Sequence, residues 1–161
     1  MSVFRRTERD VEQAYEKYAD LLYRVSFAQL ASEADACDVV QDVFLRYMTA
    51  PVVFFGSEHE KAWLLRVTMN RCHDLHRLQK NHRAEPLSEL EHVAAEDDGP
   101  YRELLDTVAA LPERFRSVVV LHALEGFSLQ EVADSLGISL SAAKMRWSRA
   151  REALKEMIQE E

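Results

Sequence analysis

Residues 124–154 read LEGFSLQEVADSLGISLSAAKMRWSRAREAL. Ser128 and Glu131 form an S-x-x-E capping box, which opens a helix over Leu129–Ser135. A turn at Leu136-Gly137-Ile138 follows, and Gly137 gives it backbone freedom that other residues lack. A second helix starts after Ser139 and runs over Leu140–Ile158. Its faces sort cleanly at helical spacing. Ala143, Trp147, Ala150 and Leu154 form an apolar stripe, while Ser141, Lys144, Ser148, Arg151 and Lys155 form a polar, mostly cationic one. Arg146 and Arg149 flank the cationic stripe. Ala133 is small where the second helix would cross the first.

Two short helices around a tight turn are the helix-turn-helix pattern, whose second helix enters a major groove. Cations on that helix can pair with phosphates or base edges. A solvated basic face is the plainer alternative, and the G-F-S-x-x-E-x-A-x-x-L-G-I-S register favours DNA over it. Working outward, Tyr101–Ala110 and Glu113–Leu124 read as two further helices, with Pro112 suited to a first turn. Before them lies AEPLSELEHVAAEDDGP (84–100), acidic, free of aromatics and punctuated by proline and glycine. It reads as a linker between an N-terminal domain (1–83) and a C-terminal domain (101–161), with a short helix over Leu87–Ala95 as an option.

The N-terminal domain repeats the helical period. Ala14, Tyr18, Leu21, Leu22 and Val25 mark a helix over Val11–Leu30, and Ala36, Val39, Val40, Val43, Phe44 and Tyr47 mark one over Ala34–Thr49. A loop, APVVFFGSE (50–58), breaks the pattern before a long helix from Glu60 to His82. On that helix Arg66, Asn70, His73, Arg77 and Lys80 share one polar face, opposite Leu64, Thr68 and Leu75. The loop aromatics and Trp63 can plug the core, which is the bland reading, or bracket an unstacked base, since base–aromatic stacking is worth roughly 1–3 kcal/mol. Asp38 and Asp42 sit one turn apart on an acidic edge and suit a basic partner surface; a solvated edge is the plain alternative.

Composition narrows the class. Four glycines and four prolines in 161 residues are about 5%, against an average near 12%. An all-β fold needs many more turns, so the expectation is an all-α chain of two small helical domains. No apolar run approaches the roughly 18 residues of a membrane span, and the N-terminus does not read as a secretory signal. Cys37 and Cys72 fit reduced core thiols in the cytoplasm. Neither a metal-ligand spacing nor a catalytic motif accompanies Asp38, Asp42, His73 and His76, so no metal, no cofactor and no enzymatic activity are expected. The net charge is −8, yet residues 61–83 carry +5 and residues 139–155 carry +4. Two compact basic segments inside an acidic chain point to two places that meet polyanions.

Three stretches taken in order resemble bacterial RNA polymerase sigma factors of the extracytoplasmic-function group. DACDVVQDVFLRYM (35–48) resembles the part that docks on the polymerase clamp. KAWLLRVTMNRCHDLHR (61–77) resembles the part that melts and reads the −10 element. LPERFRSVVVLHALEGFSLQEVADSLGISLSAAKMRWSRAREAL (111–154) resembles the −35 reader. The resemblance implies that Asp38, Gln41, Asp42 and Phe44 face the clamp. It implies that Phe54 lines a pocket for a flipped base, with Trp63, Arg66, Asn70, His73 and Arg77 near −10 DNA. It implies that Lys144, Met145, Arg146, Ser148, Arg149 and Arg151 lie on the −35 duplex. Met145 replaces a commoner small polar residue and Ala143 a β-branched one, which bears on promoter sequence rather than on class. Implied partners are core RNA polymerase, promoter DNA and an anti-sigma factor, without membrane insertion. The competing reading is a stand-alone helix-turn-helix regulator with an N-terminal ligand or dimerisation domain.

Overall fold

The computed structural model describes residues 6–81 and 99–159. All regular structure among them is helical: α1 Glu8–Leu30, α2 Glu33–Thr49, α3 Ser57–Asn81, α4 Gly99–Ala109, α5 Glu113–Val118, α6 Leu129–Leu136 and α7 Leu140–Gln159, with a single π-helical stretch over Val119–Leu124 between α5 and α6. The expected short helix over Leu87–Ala95, and most of the expected linker, lie outside the described residues.

Local chemistry sets the helix ends. At the start of α1 the Thr7 hydroxyl accepts from the Asp10 amide at 3.2 Å, and the Thr7 amide donates to the Asp10 carboxylate at 3.0 Å. These bonds, Thr7's side chain first, hold the Asp10 carboxyl below the usual carboxylate range. The expected Ser128–Glu131 box is present at α6 in the same form, and the bond to the Ser128 amide likewise lowers the Glu131 pKa. Gly137 ends α6 in the left-handed region, φ 68°, as the turn requires. Ala31 ends α1 there too, φ 54°, where a Cβ is strained. Replacing Ala31 with glycine is expected to raise stability by about 0.5–1 kcal/mol, read as a higher urea midpoint at constant m.

Several boundaries differ from the sequence reading, and α1 begins at Glu8 rather than Val11, where the Thr7 cap starts it. α3 begins at Ser57, not Glu60, so the loop before it is shorter. α4 begins at Gly99 rather than Tyr101, because Pro100 needs no amide partner in a first turn. Pro112 stands at the N-cap of α5 instead of inside its first turn. The continuous helix expected over Glu113–Leu124 widens after Val118: the Glu125 amide reaches back five residues to the Val120 carbonyl at 3.1 Å.

α1 and α2 form an antiparallel hairpin, and α3 packs across both. Leu22, Val25, Val39, Val43, Leu64, Leu65, Met69 and Cys72 are fully buried or nearly so, and they run into Val108, Leu111, Val118–Leu121 and Val132 of the C-terminal half. Cys72 is a core residue, its thiol pushed up to about 12 by burial, whereas Cys37 is exposed and corrects that half of the expectation.

Polar contacts line this core, and some of them join the halves. The Arg116 guanidinium donates to the carbonyls of Gln29 (2.8 Å), Ala109 (2.9 Å) and Leu111 (2.9 Å). The Gln29 amide donates to Ser117 Oγ at 2.9 Å. Arg24 pairs with Glu125 at 2.9 Å, and Lys61 lies 3.7 Å from Glu131 and 4.9 Å from the centre of the Phe127 ring. Among the described residues no helix is long and apolar enough to cross a membrane.

Candidate nucleic-acid interface

The faces of α7 sort as its spacing requires. Ala143 and Ala150 are fully buried, and Trp147 sits half-buried with its ring edge-on to His122 at 4.7 Å. His122 is held in turn by donating from Nδ1 to the Phe127 carbonyl at 2.6 Å. The opposite face presents Lys144, Met145, Ser148, Arg149 and Arg151 to solvent, with Arg146 half-buried at its edge. The Arg151 guanidinium lies 5.9 Å from the Trp147 ring centre. Ser139 Oγ accepts from the Ala142 amide at 3.1 Å and fixes the first turn that would approach a groove.

On α3, Arg66, Asn70 and Arg77 are exposed, His73 is half-buried, and the Lys80 side chain lies outside the described set. Leu64 and Thr68 fill the opposite, buried side, where Thr68 Oγ1 returns its proton to the Leu64 carbonyl at 2.7 Å. The stripe borders the C-terminal half. The Arg66 guanidinium lies against the Gly137 turn, with Nη2 3.5 Å from where a Cβ would stand. His73 Nε2 lies 3.1 Å from Ser117 Oγ. The Ser117 proton goes to the Glu113 carbonyl at 3.0 Å, so Ser117 accepts both from Gln29 and from a His73 Nε2–H. Burial holds the His73 pKa below its usual value, partly offset by the Glu113 carboxylate. Glu113 lies 3.6 Å from His73 and 3.9 Å from His76, and no group of three or more ligating side chains among the described residues is arranged to hold a metal ion.

The aromatic loop divides its residues between both readings. Phe54 is half-buried, its ring parallel to Tyr47 at 6.0 Å and edge-on to Trp63 at 5.7 Å. Trp63 is half-buried in the same cluster. Phe55 is 92% exposed and stacks on His59 at 5.7 Å. A cavity of about 390 Å³ opens beside Phe54, lined also by Tyr47, Glu60, Lys17 and Arg6. Tyr47 donates to Glu60 at 2.8 Å, and burial, with that bond, pushes its hydroxyl up to about 12. Sequence reasoning missed Arg6, Tyr47 and Glu60 as members of this cluster. Their meeting depends on contacts 13 to 46 residues apart.

The acidic edge of α2 needs one correction. Asp38 and Gln41 are exposed as expected, and Asp42 is partly exposed but paired with Arg71 of α3 at 2.8 Å. Phe44 does not face outward: it is 6% exposed, packed between Tyr15 at 5.1 Å and Tyr47 at 6.1 Å. Leu45, 61% exposed, is the apolar residue that shares the outer face with Asp38 and Gln41.

Two family matches cover these elements. Residues 14–82 match sigma-70 region 2, and residues 101–154 match sigma-70 region 4. The chain is 33% identical over 142 residues to the RNA polymerase sigma factor CnrH of Cupriavidus metallidurans, a match covering 78% of this chain and 74% of that one. It is 29% identical over 157 residues to the ECF RNA polymerase sigma factor SigE of Mycolicibacterium smegmatis, covering 91% of this chain and 61% of that longer protein. Among solved structures, CnrH in complex with the cytosolic domain of CnrY superposes with a TM-score of 0.74 at 27% identity, over 96% of this chain and 91% of that one. The sigma factor RpoE of Bartonella quintana, in complex with the anti-sigma factor NepR, shares the fold with a TM-score of 0.77 at 22% identity, over 94% and 98%.

Proposed function

The chain belongs to the sigma-70 family of RNA polymerase sigma factors, in its extracytoplasmic-function group, and on that premise we propose that it binds core RNA polymerase and directs promoter-specific initiation. In this reading residues 101–161 form the −35 reader, with Lys144, Met145, Arg146, Ser148, Arg149 and Arg151 of α7 on the duplex. Residues 1–83 dock on the clamp through Asp38, Gln41 and the exposed Leu45, with Asp42 at the margin. They receive the melted −10 strand at Phe54, Trp63, Arg66, Asn70, His73 and Arg77. The chain works in the cytoplasm and carries no bond chemistry of its own. A protein partner of the anti-sigma kind is part of the same reading, as CnrH is held by a domain of CnrY.

The observation that carries it is the pair of sorted cationic helix faces, α3 and α7, one in each half of an otherwise acidic chain. A net charge of −8 repels DNA at long range, so promoter engagement depends on the polymerase. Two small readers gain effective concentration once the enzyme fixes their spacing. The region 2 match over α1–α3 supports polymerase docking over the ligand or dimerisation domain that a stand-alone regulator would need.

Run-off transcription with purified core polymerase on a promoter library tests the class and the sequence preference together. No polymerase-dependent transcript from any promoter would overturn it. Within that assay Asn70→Ala is expected to lower initiation by about 5- to 150-fold, the equivalent of the 1–3 kcal/mol of a good polar contact to a base. Asn70 is exposed, so stability stays within about 0.5 kcal/mol and core affinity within about twofold. Equal losses of core binding and initiation would contradict the role.

A further inference from the structure

Arg6 precedes α1 and belongs to no helix, yet its guanidinium closes the end of α2. Pro51 has no amide proton, so the Tyr47 carbonyl lacks the donor that a continuing helix would supply four residues on. Arg6 Nη1 takes that place, donating to the Tyr47 carbonyl at 2.6 Å and to the Ala50 carbonyl at 2.9 Å. Nη2 donates to the Val52 carbonyl at 2.5 Å, two residues before Phe54. The Arg6 amide adds a bond to the Met48 carbonyl at 3.4 Å. A cation at a helix C-terminus is also favoured by the helix dipole. The same guanidinium lies over two aromatic faces, 4.3 Å from the Tyr47 ring centre and 4.8 Å from that of Phe54. Those rings are within 6° of parallel and border the 390 Å³ cavity, which falls in the range of small-ligand pockets.

We propose that Arg6 is a positioning residue of the −10 site: it ties residues 50–52 to the end of α2 and holds the Phe54 ring as a fixed wall of the cavity that receives an unstacked base. The inference rests on the function proposed above and deepens it, by assigning base selectivity partly to the segment before α1. Only a guanidinium has the fork to reach three carbonyls while keeping its charge over two rings. The ammonium of a lysine keeps the charge but not that span.

The test uses the full chain assembled with core polymerase. Four fluorescent single-stranded oligonucleotides of the non-template −10 sequence differ only in the base that flips. The wild type is expected to prefer one base by about tenfold or more. Arg6→Ala is expected to shrink that preference below about threefold and Arg6→Lys to give an intermediate value, both with core affinity within about twofold of wild type. A purely structural role would lower binding of all four oligonucleotides alike. A folded Arg6→Ala chain that keeps the full preference overturns the proposal. Should that variant fail to fold, by circular dichroism, an Arg6→Lys chain with undiminished preference overturns it equally. A wild-type chain that binds core but discriminates among no bases removes the site and Arg6's role in it. One that ignores core removes the function reading itself.

Discussion

Replacing Arg116 with methionine is expected to destabilise the folded chain by about 3 kcal/mol. Arg116 is 9% exposed, and its guanidinium serves three carbonyls, at Gln29, Ala109 and Leu111. A hydrogen bond from a charged donor contributes about 1.5–3 kcal/mol net, and each carbonyl left unpaired in the interior costs about 1–3 kcal/mol. Against that, methionine removes a charge whose burial is itself unfavourable. Desolvation already lowers the Arg116 pKa, and its Nε is buried without a partner. The carbonyls decide the balance, because three of them lose a donor at once and methionine supplies none. For a chain of this length the loss corresponds to a fall in Tm of about 6–12 °C. Two of the three bonds close the α4–α5 turn and one crosses to the end of α1, so both the C-terminal half and its docking on the N-terminal half weaken. Urea unfolding followed by circular dichroism checks this. A change under about 1 kcal/mol would mean that water or a shifted side chain replaces the guanidinium.

The different fates of the sequence expectations have a common physical origin. Helix-turn-helix geometry was readable because it depends on residues close in the chain: the Ser128–Glu131 box, the left-handed Gly137, and the Ala143–Ala150 stripe. Periodicity placed Arg66, Asn70 and Arg77 of the α3 stripe on one exposed face for the same reason. What a period cannot give is which neighbour a helix face meets. Phe44 shares the apolar stripe of α2 with Val40 and Val43, and it packs inward on Tyr15 and Tyr47. The resemblance to clamp-docking segments pointed it outward, whereas the exposed apolar residue on that side of α2 is Leu45. Asp42 looked like part of an acidic docking edge because its partner, Arg71, lies 29 residues away. Arg6 left no signal at all: an isolated arginine before a helix is ordinary, and its value lies in four backbone contacts more than 40 residues distant.

Cross-linking the two halves is expected to abolish transcription. Elements centred at −35 and −10 lie about 25 base pairs apart, or about 85 Å at 3.4 Å per pair. In this structure the candidate readers are neighbours. Arg146 of α7 is near enough to His73 of α3 for its charge to oppose the imidazolium, and Arg66 lies against the Gly137 turn. No rigid placement of this arrangement puts α7 on one element and α3 on the other, so the halves must separate before both engage. Residues 82–98, seventeen in number, can reach about 60 Å when extended, which together with the domains themselves covers the distance. The contacts to be broken include part of the shared apolar core as well as polar pairs, and the Arg24–Glu125 pair is half exposed on the arginine side, a class worth about 0–1 kcal/mol. A chain carrying Arg24→Cys and Glu125→Cys, with the exposed Cys37 changed to serine, can be joined by a short cleavable bismaleimide. Cys72 does not compete, being buried with its thiol at about 12. The linked chain is expected to lose run-off transcription by about a hundredfold or more, and cleavage of the linker is expected to restore it. Undiminished transcription from the linked chain would mean that the two faces read their DNA without parting.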